Sequence, residues 1–332
     1  MQRFIFIIIS LIVFSACLSD GQEDDFSVNK GIKVLRYDRL QYESVALNSV
    51  LALQKMTVES PRATKLLIED VLALGSVSEP NIYERLCAYY TDSVLLKIME
   101  DAEVKFKDIT PIEKELSEGF RKLKEEIPTL VVPYIYSQFS ALNQSVVVGD
   151  SLLAFSLDKY MGADYPIYKR YYYGYQRRYM TEERIVPDCL TFYMCSQYPF
   201  LWEEGHRTLF DVMVYRGKMA WVAEHILNGD ASGSKSLGYT KEEIHWCKKY
   251  ESKIWKQMAA QHLLESTDPM LIRAYTHPDP RMMVNGKKIP SLIGVWLGMR
   301  LIHKYMDEHP EVTLEELLQR TDFRDLLEDI KG

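Results

Sequence analysis

The sequence predicts an α+β fold: a mostly helical single domain with a small three-stranded sheet in mid-chain. Two observations predict it. Residues 129–157 are β-branched and aromatic, in three short runs joined by turn residues, while the blocks on either side repeat apolar residues at helical spacing. No internal repeat or low-complexity stretch divides the chain, and strands bracketed by helical blocks point to one α+β domain.

The first seventeen residues stand apart. Met1-Gln2-Arg3 is a short basic start, Phe4 to Phe14 is an apolar run, and the small residues Ser15-Ala16 precede Cys17. This is the pattern of a bacterial lipoprotein signal. Cleavage before Cys17 leaves that cysteine as the new N-terminus, carrying lipid such as palmitate. The run is shorter than the ~20 residues of a membrane-spanning helix. An ordinary secretory signal is the rival, because Phe14 stands where such signals usually carry Leu. Residues 18–25 are polar and acidic, as a flexible tether requires. The expected organisation is a signal peptide at 1–16, a tether at 17–30 and a folded domain at 31–332. The body would be held to an envelope membrane, at its periplasmic face or at the outer-membrane surface.

Residues 31–38 alternate as a short strand or extended arm. Residues 39–58 and 62–74 carry helical periodicity, with Leu66, Leu67, Val71, Leu72 and Leu74 on one apolar face of the second. Ser78 to Asp101 reads as further helix. Thr110-Pro111-Ile112-Glu113 is a helix start, with a Thr cap and Pro at the first position, and residues 111–126 keep Ile112, Leu116, Phe120 and Leu123 on one face. The strands are expected at 129–139, 145–148 and 151–157, the last two joined at Gly149-Asp150, in a sheet at least partly antiparallel. After Asp158 the chain returns to helix, with loops at 161–166, 199–208, 228–239 and 276–290.

Of the 332 residues, 47% are hydrophobic and 12% aromatic, enough for a substantial core. Loss of Arg3 with the signal leaves 39 basic against 47 acidic side chains, so no nucleic-acid partner is expected. Cys87, Cys189, Cys195 and Cys247 read as buried free thiols, and no Cys-x-x-Cys occurs. None of the seven histidines is followed by Glu, which removes the His-Glu-x-x-His zinc helix. Gly-x-Ser-x-Gly and Gly-x-Gly-x-x-Gly are absent too. Residues 229–236 approach a phosphate-binding loop, but Ser234 stands where its second Gly belongs, so the segment reads as a flexible connector. His303 and Asp307 read as an exposed helix pair. No catalytic residue, metal or cofactor is assigned.

Three segments carry the candidate residues. Residues 165–179 hold seven tyrosines, interleaved with Arg170, Arg177 and Arg178. Tyr172, Tyr173 and Arg178 are candidates for a surface that recognises a sugar, a peptide or a protein. The alternative is a wet, half-buried helix whose rings pack against the arginines. Asp188 closes this stretch. Residues 209–227 form an apolar helix with Asp211, Tyr215 and Lys218 at i, i+4 and i+7. A buried lysine is costly unless paired, so this stripe is either a structural ion pair or a site. Gly294 and Gly298, four apart in a helix, weaken it and point to close approach of another backbone.

The chain resembles the gliding-motility lipoprotein GldB family of Bacteroidetes. The resemblance rests on the signal, Ile32-Lys-Val-Leu-Arg-Tyr-Asp38, Leu157-Asp-Lys-Tyr-Met-Gly-Ala-Asp-Tyr-Pro166 and Arg184-Ile-Val-Pro-Asp188. It continues through Thr208-Leu-Phe-Asp-Val-Met-Val-Tyr-Arg-Gly-Lys218, Leu237 to Cys247, Ile254-Trp255 and Ile293-Gly-Val-Trp-Leu-Gly298 with Tyr305-Met306. It implies an envelope lipoprotein linked to gliding machinery in motile members. The layout is also similar to zinc peptidases, whose metal-bearing helix would follow Asp188. Asp188 to Cys195 holds no histidine, so that likeness implies a peptidase-shaped body without zinc. Asp92-Ser93-Val94 and Asp150-Ser151-Leu152 are similar to short sites glycosylated in exported proteins of that phylum.

The expected function is a non-enzymatic, lipid-anchored envelope protein that binds an envelope protein partner through the tyrosine-rich segment and the Asp211/Tyr215/Lys218 stripe. The rival is an envelope hydrolase acting on peptide or glycan, with Asp188, Asp211, Tyr215 and Lys218 around a cleft. A closed cluster at these residues favours a structural role, and an open concave pocket with a perturbed lysine or carboxylate favours chemistry.

Overall fold

The computed structural model describes residues 31–202, 207–279, 283–284 and 287–326. The expected signal peptide, Cys17 and the expected tether lie outside these residues. The arm at 31–38 is a clip onto the body. Its Ile32 N–H donates to Ser117 Oγ at 2.8 Å and its Val34 N–H to Glu113 Oε1 at 3.0 Å, with Lys33 on Glu113 Oε2 at 3.0 Å. It then contributes a two-residue strand, β1 (Leu35–Arg36). Asp38 is fully buried, bridged by Arg36 and accepting from Ser137 Oγ.

The helices of the N-terminal half follow in order: α1 (Tyr37–Ala46), α2 (Val50–Gln54), α3 (Pro61–Lys65), α4 (Ile82–Tyr90), α5 (Ser93–Lys105) and α6 (Thr110–Glu126). α2 and α3 each run on into a π-helical stretch, Lys55–Glu59 and Leu66–Val71. The expected helix from Ser78 to Asp101 is split, because Asp92 caps α5 by accepting from the N–H groups of Val94 and Leu95. Thr110 sits inside α6 and does not cap it; Asp108 accepts from the Thr110 N–H at 2.9 Å.

The sheet has four strands where three were expected, in the order β1-β2-β4-β3, with β2 at Tyr134–Gln138, β3 at Val146–Gly149 and β4 at Leu152–Ser156. β1–β2 and β2–β4 are parallel and β3–β4 antiparallel, so the sheet is mixed. The turn after β2 places Ala141 and Leu142 at φ +54° and +64°. Asp158, fully buried, holds it by accepting from the N–H groups of Ser140 and Leu142.

The C-terminal half continues with α7 (Pro166–Tyr171), α8 (Gly174–Arg177), α9 (Ile185–Gln197), α10 (Leu209–Ile226), α11 (Lys241–Ala260) and α12 (Pro269–Thr276). A short hairpin, β5 (Met283–Val284) with β6 (Lys287–Lys288), leads to α13 (Ile293–Glu308) and α14 (Leu314–Gln319). α10 is apolar nearly all round and forms the centre of the molecule. It crosses α13 at backbone contact. A Cβ on Gly217 would stand 2.3 Å from the carbonyl carbon of Gly298, and one on Gly298 2.0 Å from Met213 O. Gly298 thus makes the close backbone approach expected of it, while a Cβ on Gly294 would stand 2.9 Å from the Tyr275 carbonyl oxygen of α12.

The connector at 229–236 is packed and not free. Glu224, buried in α10, accepts from Lys235 N (2.8 Å), Ser236 N (3.0 Å) and Ser236 Oγ (3.2 Å), and Trp296 donates to Ser232 O at 2.9 Å. Among the described residues no helix is long and apolar enough to cross a membrane.

Candidate functional site

The polar stripe of α10 opens on a cleft of about 200 Å³. Its walls come from three parts of the chain: the end of α9 with residues 197–201, the first three turns of α10, and the end of α14 with the residues that follow it, 318–323. Asp211, Tyr215 and Lys218 line it, with Tyr198, Phe200, Phe210 and Phe323 as an aromatic lining. The first two carry local reasons to be where they are. Thr208 caps α10 and Asp211 is its third residue; each side chain satisfies the other's backbone N–H, at 3.2 and 2.9 Å. Tyr215, one turn on, leans on the Phe200 ring (4.9 Å between centroids) and donates its hydroxyl to Tyr198 O at 3.0 Å.

Lys218 is 3% exposed. Its ammonium caps the C-terminus of α14, donating to Leu318 O and Arg320 O at 2.8 Å each and to Leu317 O at 3.3 Å. These carbonyls are ones a helix end leaves without intrahelical partners, and the helix dipole favours a cation there. Burial, with the nearby Arg320 guanidinium, pushes the Lys218 pKa down to about 8. The Arg320 guanidinium is clamped between rings, 4.6 Å over Phe323 and 4.8 Å over Tyr305, and forks onto Asp325 at 2.6 and 2.7 Å. That clamp fixes Phe323 as one wall. Burial raises the Tyr215 phenol well above its ordinary range and raises the Cys195 thiol beside it. On the next position of α10, Arg216 donates to Thr276 O and to the His277 ring. Burial and the charges of Arg216 and Arg273 bring the His277 pKa down to about 4.

The remaining candidates do not line this cleft. Asp188 accepts from Tyr160 OH at 3.0 Å and pairs with Arg184 one turn before it. Arg178 forks onto Glu243 at 2.7 Å through both terminal nitrogens and donates to Gly238 O, which docks residues 174–179 on the start of α11. Tyr172 is half-buried, its hydroxyl on Leu142 O and Lys159 Nζ 4.9 Å above its ring. Tyr173 is 73% exposed and stacks on Tyr175 at 5.8 Å. The tyrosine-rich stretch is therefore two short helices, α7 and α8, broken at Tyr172, whose backbone is extended. Tyr168 is fully buried with its hydroxyl on Asp158 O, while Tyr171 is 58% exposed.

The aromatic lining and Arg320 were not legible in the sequence. No local signal marks them, because Lys218 and its acceptors are about a hundred residues apart. The four cysteines of the body are free, with Cys189 and Cys247 buried and Cys87 and Cys195 half-buried. His303 and Asp307 do form a helix pair, at 3.5 Å. Ser93 and Ser151 are both exposed. Among the described residues no group of three or more His, Cys, Asp or Glu side chains is placed to hold a metal ion.

A family model described as gliding motility protein GldB matches residues 19–331, and the chain belongs to that family. No curated protein and no solved structure matches it, and the likeness to a zinc-peptidase layout has no support.

Proposed function

We propose that this GldB-family chain is an envelope protein, anchored by lipid on Cys17, that binds a protein partner of the gliding or envelope machinery and does not act as a catalyst. The observation that carries the reading is the state of the groups in the cleft. Lys218 spends its three donors on carbonyl oxygens of its own chain, and the Tyr215 hydroxyl is donated to Tyr198 O. Around them stands an aromatic lining open to solvent, the form of a pocket that receives an apolar anchor from a partner. The sequence pattern before Cys17 and the family's description support the address.

One observation favours the rival, a hydrolase of peptide or glycan. The cleft is open and concave and its lysine is depressed to about 8, which meets the stated condition for chemistry. Crosslinking in intact cells separates the two. Thr321, exposed on the rim, is replaced by Trp to fill the mouth. Loss of one defined envelope partner, with unchanged thermal stability, supports binding. Partner recovery unchanged by Thr321→Trp removes the cleft from the binding surface. Turnover of an envelope peptide or glycan that Lys218→Met abolishes establishes the hydrolase.

A further inference from the structure

We propose that the free edge of the sheet, along β3, takes an extended basic polypeptide segment as a fifth strand. The site shares no lining residue with the aromatic cleft, and the proposal does not depend on the function of that cleft. β3 is the last strand in the order β1-β2-β4-β3. Its register is fixed by Val147↔Ala154 and Gly149↔Leu152, and Ser156 N–H donates to Ser145 O at 2.9 Å. In an antiparallel pair, bonded and non-bonded positions alternate. Residues 145, 147 and 149 therefore face β4, and the N–H and C=O of Val146 and Val148 point the other way. Among the described residues no hydrogen bond reaches those four groups. They are the template that a sheet edge offers to an added strand.

The surroundings suit such a guest. β3 lines an open groove of about 680 Å³ together with Leu66, Asp70 and, from α9, Phe192, Cys195 and Ser196. Four extended residues need about 13 Å. The strand reads Val-Val-Val-Gly, with none of the Lys or Pro that blunt natural edges. Phe192 is 47% exposed and presents its ring to an aliphatic side chain. Asp70 and Asp150 also line the groove; both are exposed, and neither makes an ion pair among the described residues. Two carboxylates with no cationic side chain in the lining select a guest carrying Lys or Arg.

The test uses the full lipidated protein in non-ionic detergent. The probe is a blocked, fluorescent heptapeptide of alternating Lys and Val, followed by anisotropy. Two further versions carry N-methyl groups on alternate amides, in the two complementary patterns. One pattern should lose at least tenfold in affinity and the other should stay within twofold, because only one set of amides faces β3. A Glu/Val version should bind at least tenfold more weakly. Val148→Pro removes one outward N–H while leaving the Val147 and Gly149 bonds to β4, and should abolish binding; Thr321→Trp should not change it. Equal affinity for both methylation patterns, equal affinity for the Glu/Val peptide, or no binding of the Lys/Val peptide each overturns the proposal. The methylation result does not depend on any variant folding.

Discussion

The crossing of α10 and α13 makes a sharp prediction for Gly298→Ala. On an isolated helix the change would stabilise by about 1 kcal/mol. Here the new Cβ falls 2.0 Å from Met213 O and 2.7 Å from Met213 C. Ordinary carbon contacts lie near 3.5–4.0 Å, so the helices must part by more than ~1 Å. A gap of that size forfeits roughly a quarter to a half of the dispersion energy across it. Overpacking of cores costs about 1–3 kcal/mol when side chains can yield, and this obstacle is backbone in a buried helix. The net loss should be about 2 kcal/mol or more, a fall of several degrees in Tm. Gly119→Ala on α6 is the internal control. Its Cβ would meet side-chain tips and no backbone at closest approach, Leu190 at 3.3 and 3.4 Å and Ile226 at 3.7 Å, so its effect should lie within about 1 kcal/mol of zero. Urea unfolding of both variants, with m-values compared, gives the answer. Gly298→Ala at or above wild-type stability would mean that α10 and α13 do not meet at backbone contact there.

Other consequences follow from single groups. Cys17→Ala should move the protein from the membrane pellet to the soluble fraction, and unchanged pelleting would contradict the lipid anchor. The Lys218 pKa near 8 in the fold lies below the ordinary 10.5. Between those values the unfolded chain holds the proton that the folded chain has lost, so the burial penalty is relieved as pH rises from about 8 to 10.5. That contributes up to about 3 kcal/mol of added stability across the window, and Lys218→Met should remove this component of the pH profile. His277, brought down to about 4, should show no titration by NMR between pH 5 and 8; a midpoint near 6.5 would mean that it is neither buried nor facing Arg216 as described.

What the sequence disclosed was local. The strands at 146–149 and 152–156 were legible because turn residues separate β-branched runs. The one cap read from the sequence, Thr110, does not cap α6, whereas Thr208, Thr240 and Thr313, each with an acidic residue three on, carry the same local signal and do cap α10, α11 and α14. β1 was not legible as a strand of this sheet, since two residues acquire their pairing only from β2, about a hundred positions away. The tyrosine-rich stretch was read as a recognition surface or as one half-buried helix, and the break at Tyr172 was not legible; a tertiary bond from Tyr172 to Leu142 O accompanies it. The stripe on α10 could be read from spacing alone, but the acceptors of Lys218 could not. They lie on a turn that only the packed chain brings near.

The N-terminal clip has a mechanical meaning under the proposed anchoring. Pull from a lipid-bound Cys17 enters the body at residue 31 and runs along β1. The bonds from Ile32 to Ser117 and from Val34 to Glu113, with the parallel pairing of β1 to β2, lie across that line. They are loaded together in shear and not opened one at a time like a zip. Resistance to such a load is set by the rate of unfolding, so under that anchoring the clip would hold the first strand to the body against a pull that arrives at residue 31.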